Sequence, residues 1–254
     1  MTETATRQNR PNYGIDAPGA VRNLIFGGAA ALVLAVASYL LDWGLTRPAT
    51  VIGVSWLLLA GWMIWDSKIG KLWARDRVLD GLELRGDELV LDVGCGRGLL
   101  LIGAAKRLTT GKAVGVDIWN TKDLSGNRPE ATRENARLDG VAIRVEVKDG
   151  DARQLPFADG AFDVVVTKDA LHNIGYAAER DTAVRELARV LKPGGRVFLG
   201  DVRHTGRYMQ VLRECGLQDV RRSAESVPSL LIGVVSLGFA YPAHVTGRKA
   251  GVAG

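Results

Sequence analysis

Cysteine is scarce in this chain. Only two occur in 254 residues, Cys95 and Cys215, and neither has a companion at metal-ligand spacing. That excludes a cysteine-built metal module or a disulfide-framed domain, and it points to reduced thiols in a reducing compartment. Basic runs interleaved with aromatics are also missing. The 33 Lys and Arg against 28 Asp and Glu leave a net charge of +5 that is scattered along the sequence, so no nucleic-acid partner is indicated. A hydrophobic share of 47% with 24% charged residues excludes a disordered chain. Charge itself is absent from two stretches, Leu24 to Leu41 and Ala49 to Trp65. Each is near the ~20 residues that a helix needs to cross a bilayer.

What is present centres on Val90-Leu91-Asp92-Val93-Gly94-Cys95-Gly96-Arg97-Gly98-Leu99-Leu100, an apolar run ending in an acid and three alternate glycines. It reads as a buried strand turning sharply into a helix, with backbone amides open to a ligand. A dinucleotide fingerprint needs a third small residue where Leu99 stands, so that reading fails. The carboxylate of Asp92 would repel a pyrophosphate and suits a ligand carrying an ammonium and a sulfonium, which favours S-adenosylmethionine. Further markers follow in order. Lys112 to Ile118 is a second apolar strand ending in Asp117, placed to accept hydrogen bonds from a ribose diol. Gly150-Asp151-Ala152 precedes a strand at Phe162 to Thr167, and Leu191-Lys192-Pro193-Gly194-Gly195 leads into another at Arg196 to Gly200.

With these motifs in place, residues 79 to 249 resemble the class I S-adenosylmethionine-dependent methyltransferases, in particular the small-molecule group that includes quinone and arsenite methyltransferases. Arg97 stands where Thr, Ser or Pro is common in that family. The resemblance implies an α/β, Rossmann-like seven-stranded sheet, with a sixth strand near Asp219 to Ala224 and an antiparallel seventh near Ala243 to Lys249. It implies S-adenosyl-L-methionine as cofactor. The cofactor-binding set it implies is Asp92, Gly94, Cys95, Gly96, Asp117, Ile118, Asp151, Ala152 and Lys168. Within that set, Asp92, Gly94 and Gly96 hold the methionine end, Asp117 the ribose hydroxyls and Asp151 with Ala152 the adenine, while Ile118 packs on the ring. No metal is implied.

Taken in order, the chain reads as a polar tail (1–21), a two-helix transmembrane hairpin (22–66), an amphipathic linker helix (67–86) and the methyltransferase domain (87–250). Strands are expected at Leu89 to Val93, Ala113 to Asp117, Ile143 to Val147, Phe162 to Thr167 and Arg196 to Gly200. Arg7, Arg10 and Arg22 precede the hairpin, Lys68, Lys71, Arg75 and Arg77 follow it, and only Arg47 lies in its turn. The positive-inside bias therefore puts both ends, and the catalytic domain, in the cytoplasm. Gly27, Ala31 and Ala35 recur every four residues and allow close helix contact within the hairpin or between chains, hence a homo-oligomer. A late apolar stretch, Ser229 to Ala240, is too short to span and reads as a core or lid segment, or as a lip dipping into the membrane.

The acceptor chemistry falls to residues after the fourth and fifth strands. His172 reads as a general base or as a polar residue closing over the donor, with Asp169 orienting it or contacting the acceptor. His204 is a second base candidate, Asp201 a helix cap, and Tyr208 core or acceptor wall. The expectation is a membrane-anchored enzyme that methylates oxygen or nitrogen of a small hydrophobic or lipid-like substrate. The alternatives are methylation of membrane proteins and a non-catalytic adenosylmethionine-binding scaffold. The loop from Trp119 to Arg128 is longer than a tight connection requires.

Overall fold

The computed structural model describes residues 10–224 and 242–251. The chain divides into two compact units: Asn12–Ala74 with Asn120–Arg128, and Met1–Pro11 with Arg75–Trp119 and Pro129–Gly254. The apolar stretch 229–240 lies outside the described residues.

In the first unit, α1 (Pro18–Leu41) and α2 (Thr46–Trp65) form a helical hairpin. Pro18 opens α1, where its missing N–H costs nothing. The Oγ of Ser38 accepts the Leu45 N–H at 2.8 Å and fastens the connection. The helices meet at Gly28 and Gly53. A Cβ on Gly28 would lie 3.0 Å from the Gly53 carbonyl oxygen, and one on Gly53 would lie 2.9 Å from that of Gly28. Ala35, Ala49 and Ala60 continue the buried seam, and Gly27 makes room for the ring of Trp56, where a Cβ would come within 2.3 Å. The remaining sides carry exposed Phe26, Val33, Val51 and Leu58. Both helices are long and apolar enough to cross a membrane by length and composition.

A π-turn (Asp66–Gly70) joins α2 to α3 (Lys71–Gly81), so one helical run extends from Thr46 to Gly81. The expected linker helix is thus present and follows α2 directly through the π-turn. Within the second unit, Gly103 makes room for the end of α3, since a Cβ there would come within 2.6 Å of Leu79.

The second unit holds a seven-stranded mixed sheet in the order β3-β2-β1-β4-β5-β7-β6. Its members are β1 (Leu89–Val93), β2 (Lys112–Asp117), β3 (Val145–Asp149), β4 (Phe162–Lys168), β5 (Leu191–Asp201), β6 (Leu217–Ala224) and β7 (Ala243–Lys249). The first five run parallel and β7 is antiparallel to both neighbours. Helices α4 (Leu99–Arg107), α5 (Pro129–Leu138), α6 (Ala177–Val190) and α7 (Thr205–Glu214) make the connections. The central strands are apolar throughout because a parallel sheet is covered on both faces; Val90, Leu91, Val164, Val165 and Val166 have no exposed surface. The third strand starts two residues later than expected because 142–144 close a 3-10 turn. The order reverses beside β1, between β2 and β4, which leaves a crevice at the carboxyl ends of these strands.

Candidate active site

At the end of β1 the chain turns on Gly94, Gly96 and Gly98, all at positive φ (73°, 52° and 87°). The N–H groups of Gly94 and Cys95 both donate to the Val116 carbonyl, at 2.8 and 3.1 Å, which ties the turn to β2. Gly98 then caps α4 in the left-handed region that glycine tolerates best. The turn is held from α5 as well: Thr132 Oγ1 donates to the Gly96 carbonyl at 2.7 Å and Asn135 Nδ2 to that of Arg97 at 2.9 Å. The Cys95 thiol is buried beneath it, and Gly115 leaves space for its sulfur. Burial, with Asp92 and Asp117 nearby, pushes that thiol well above the ordinary range.

Two carboxylates frame the turn. Asp92 is buried and its Oδ2 accepts the Leu101 N–H at 2.8 Å, bracing the first turn of α4. Burial raises its pKa to about 7; the Leu101 hydrogen bond opposes the shift and the charge of Asp117 adds to it. Asp117 is 8% exposed, and each of its oxygens takes a backbone N–H, Gly96 on Oδ2 at 2.8 Å and Trp119 on Oδ1 at 2.6 Å. A carboxylate has about four lone-pair sites, so these bonds orient it and still leave acceptor capacity. Next to it Ile118 is 66% exposed, an apolar side chain at the rim of a polar crevice.

Asp151 and Ala152 follow β3. The Asp151 carboxylate forms a two-oxygen pair with Arg153, whose other nitrogen reaches Glu179, and the arginine holds it below the usual range. Lys168 ends β4, with its ammonium 3.0 Å from the carboxylate of Asp169. The described residues thus bring Asp92, Gly94, Cys95, Gly96 and Asp117 into one hydrogen-bonded turn, while the Asp151 carboxylate is engaged with arginine. A buried acid at the turn, an oriented acid at the next strand end and an exposed apolar neighbour match the ammonium, diol and flat ring of S-adenosylmethionine.

The cluster after β4 and β5 is only half legible in the sequence. After β4 the backbone turns at Asp169 (φ 53°) into a 3-10 turn, Leu171–Asn173. His172 Nδ1 lies 2.6 Å from Asp201 Oδ1, and its backbone N–H donates to Asp201 Oδ2 at 3.0 Å. Asp201 ends β5 at 1% exposure and also accepts from the Val202 N–H (2.7 Å) and the Tyr208 hydroxyl (3.4 Å). The carboxylate that orients His172 is therefore Asp201, whereas Asp169 pairs with Lys168. The reading of Asp201 as a helix cap is also corrected: His204, at φ 61°, is the N-cap residue of α7 and no side chain caps that helix. The missed signal was the repeated pattern of an apolar strand ending in an acid that accepts hydrogen bonds, Asp92, Asp117 and then Asp201. Tyr208 is fully buried, and burial with the Asp201 charge pushes its phenol far above the ordinary range. His204 sits edge-on to the Tyr208 ring at 6.3 Å. Burial, then Arg180, Arg203 and His172, lower its pKa against a raising contribution from Asp201.

With Nδ1 bonded to a carboxylate, a neutral His172 carries its proton there and its basic lone pair on Nε2. A cleft of about 450 Å³ opens elsewhere, at the amino ends of the strands beside Arg85, Glu88, Asp163, Arg196 and Arg248. Its charges are committed internally, Arg196 to Glu88 at 3.0 Å and Arg248 to the Gly194 carbonyl at 3.0 Å.

Residues 91–199 match the family model described as a methyltransferase domain. The chain is 34% identical over 177 residues to 27-O-demethylrifamycin SV methyltransferase of Amycolatopsis mediterranei, which covers 70% of this chain and 58% of that protein. It is 32% identical over 124 residues to demethylmenaquinone methyltransferase of Lactobacillus johnsonii, 48% of this chain and 47% of that one. The chain spans about half the length of the curated relatives it matches. Among solved structures, geranyl diphosphate methyltransferase in complex with its methyl donor superposes with a TM-score of 0.56 at 16% identity, covering 70% of this chain and 85% of that one. A methyltransferase of Aquifex aeolicus gives 0.55 at 20%, covering 71% and 92%. Over residues 91–199 the chain therefore matches a methyltransferase domain, and its sheet has the fold of these S-adenosylmethionine-dependent methyltransferases.

Proposed function

We propose that this protein is a membrane-anchored methyltransferase that transfers a methyl group to oxygen or nitrogen of a small, hydrophobic or lipid-like acceptor. The observation that carries the acceptor chemistry is the His172–Asp201 pair, 2.6 Å apart at the carboxyl end of the sheet. Bound S-adenosylmethionine would supply an activated methyl carbon on a sulfonium. The chain's residues then have three tasks. Asp92, Gly94, Cys95 and Gly96 hold the amino-acid end; Asp117 takes the ribose, Ile118 covers the base, and Asp151, Ala152 and Lys168 complete the surround. His172 Nε2 accepts the acceptor's proton as the new carbon–heteroatom bond forms and the carbon–sulfur bond breaks, its electron pair staying on sulfur. Asp201, bonded to Nδ1, stabilises the imidazolium; His204 is the alternative base.

The names of the relatives support a small-molecule acceptor, since they act on demethylrifamycin and demethylmenaquinone. The apolar outer sides of α1 and α2 support the anchor. The basic residues flanking the hairpin support a two-pass topology with the methyltransferase unit in the cytoplasm. The glycine seam is spent inside the hairpin, so an oligomer would form on its other sides.

The test is mass spectrometry of a membrane extract incubated with enzyme and methyl-deuterated donor. A lipid-soluble product bearing the label is expected. Label confined to protein bands, or donor binding with no labelled product, would overturn the acceptor class.

A further inference from the structure

We infer that Lys71 and the segment just ahead of the first apolar helix are positioning elements for the donor site, acting through the loop that follows Asp117. The inference rests on the reading of Asp117 as the residue that holds the donor's ribose. The loop 120–128 leaves the sheet unit after Trp119 and rejoins it at Pro129, yet in between it is built into the hairpin unit. There it pairs with the chain at 15–17 in a short antiparallel ladder. The Ile15 N–H donates to Ser125 Oγ at 2.8 Å, the Ser125 N–H to the Ile15 carbonyl at 3.1 Å, and the Ala17 N–H to the Asp123 carbonyl at 3.0 Å. Asn120 bonds Asp123 at 2.9 Å, which keeps the loop compact between those attachments.

The segment is held in turn by Lys71. Its ammonium, on a residue only 7% exposed, donates to the carbonyls of Tyr13 and Gly14 at 3.0 Å each and lies 3.2 Å from both oxygens of Asp16. A buried ammonium must keep its partners, so the segment is bound to the helix and not merely laid on it. Ser67 Oγ adds bonds to the Asp16 N–H at 3.1 Å and to its carboxylate at 3.3 Å. Ser67 and Lys71 are four residues apart across the π-turn and reach the same aspartate, so the turn sets the face that grips the segment.

At the loop's start, Trp119 sits at φ 61°, a left-handed conformation costly for a bulky aromatic residue, which persists only when its surroundings enforce it. Its N–H holds Asp117 Oδ1, and its indole N–H holds Asp149 Oδ1 at 2.6 Å. Asp149 holds its indole from within the sheet unit, and its backbone runs directly into the fastened loop. Loosening the loop lets Trp119 relax and withdraws one of the two N–H groups that aim Asp117.

The experiment uses the full-length protein in detergent, with S-adenosylmethionine as the calorimetric probe. Lys71→Met is expected to weaken donor affinity by about tenfold, to speed amide exchange across 120–128, and to leave the exchange of β1 and β4 unchanged. Lys71→Arg, which keeps the charge, should recover most of the affinity. Ser125→Ala, which removes only the hydroxyl that meets Ile15, gives the same direction with a smaller effect should Lys71→Met fail to fold. Faster loop exchange with donor affinity within twofold of wild type overturns the inference while leaving the donor site's assignment intact. Asp117→Ala without loss of donor affinity overturns the assignment itself, and the inference with it.

Discussion

The two sides of the crevice are made of different material. On the donor side, backbone does the holding: the N–H groups of Gly94 and Cys95 lie on the Val116 carbonyl, and those of Gly96 and Trp119 on Asp117. On the acceptor side, side chains from separate elements converge, His172 from the turn after β4, Asp201 from the end of β5 and Tyr208 from α7. A backbone device is fixed by local sequence, through glycine and a strand-end acid. A side-chain cluster is fixed only by the tertiary fold, and it can be rebuilt for another acceptor without touching the donor.

That contrast can be broken by substitution. The largest effect belongs to the acceptor side: His172→Ala should lower turnover by about 10²- to 10⁴-fold, and Asp201→Asn should follow in the same direction through loss of the oriented tautomer. Donor affinity measured by calorimetry should stay within a few-fold in both. Equal losses of donor binding and turnover would erase the division between the two sides.

Next in size is Gly94→Ala. The residue stands at φ 73°, and its new Cβ would fall 2.3 Å from the Cβ of Ala170. The conformational cost alone is about 1–2 kcal/mol, so thermal stability and donor affinity should fall together. A variant as stable as wild type would mean that the turn is not held as described.

The smallest effect sharpens the electrostatics. Burial raises the Asp92 carboxyl in the folded chain from an ordinary 3.8 to about 7. Between those values the folded state binds more protons than the unfolded one, so this group's contribution lowers stability as pH rises through that window and levels off above it. Thermal melts from pH 5 to 8 should reveal that slope in wild type and its loss in Asp92→Asn. Identical slopes would remove the assignment of a strained buried acid.

The sheet was legible because its strands are apolar runs bounded by glycine and acid, a pattern set by burial on both faces. Six of the seven strands lie within about two residues of the expected positions at their starts; β5 begins earlier, at Leu191, which pairs with Phe162 ahead of an irregularity that regains the register at Arg196. The donor turn was legible because φ above zero selects glycine in a recognisable rhythm. Asp201 was not, since nothing local separates an acid that caps a helix from one that reaches 29 residues back to a histidine. The bonding of loop 120–128 to 15–17 was equally hidden, because its ladder joins segments more than a hundred residues apart and carries no hydrophobic period.

The near-touch of Gly94 and Ala170 bears on how such a protein can diversify. Ala170 stands two residues before His172, so the donor turn and the acceptor loop meet at one methyl group. A side chain added at Gly94 would have to displace the Ala170 methyl, and with it the turn that carries His172.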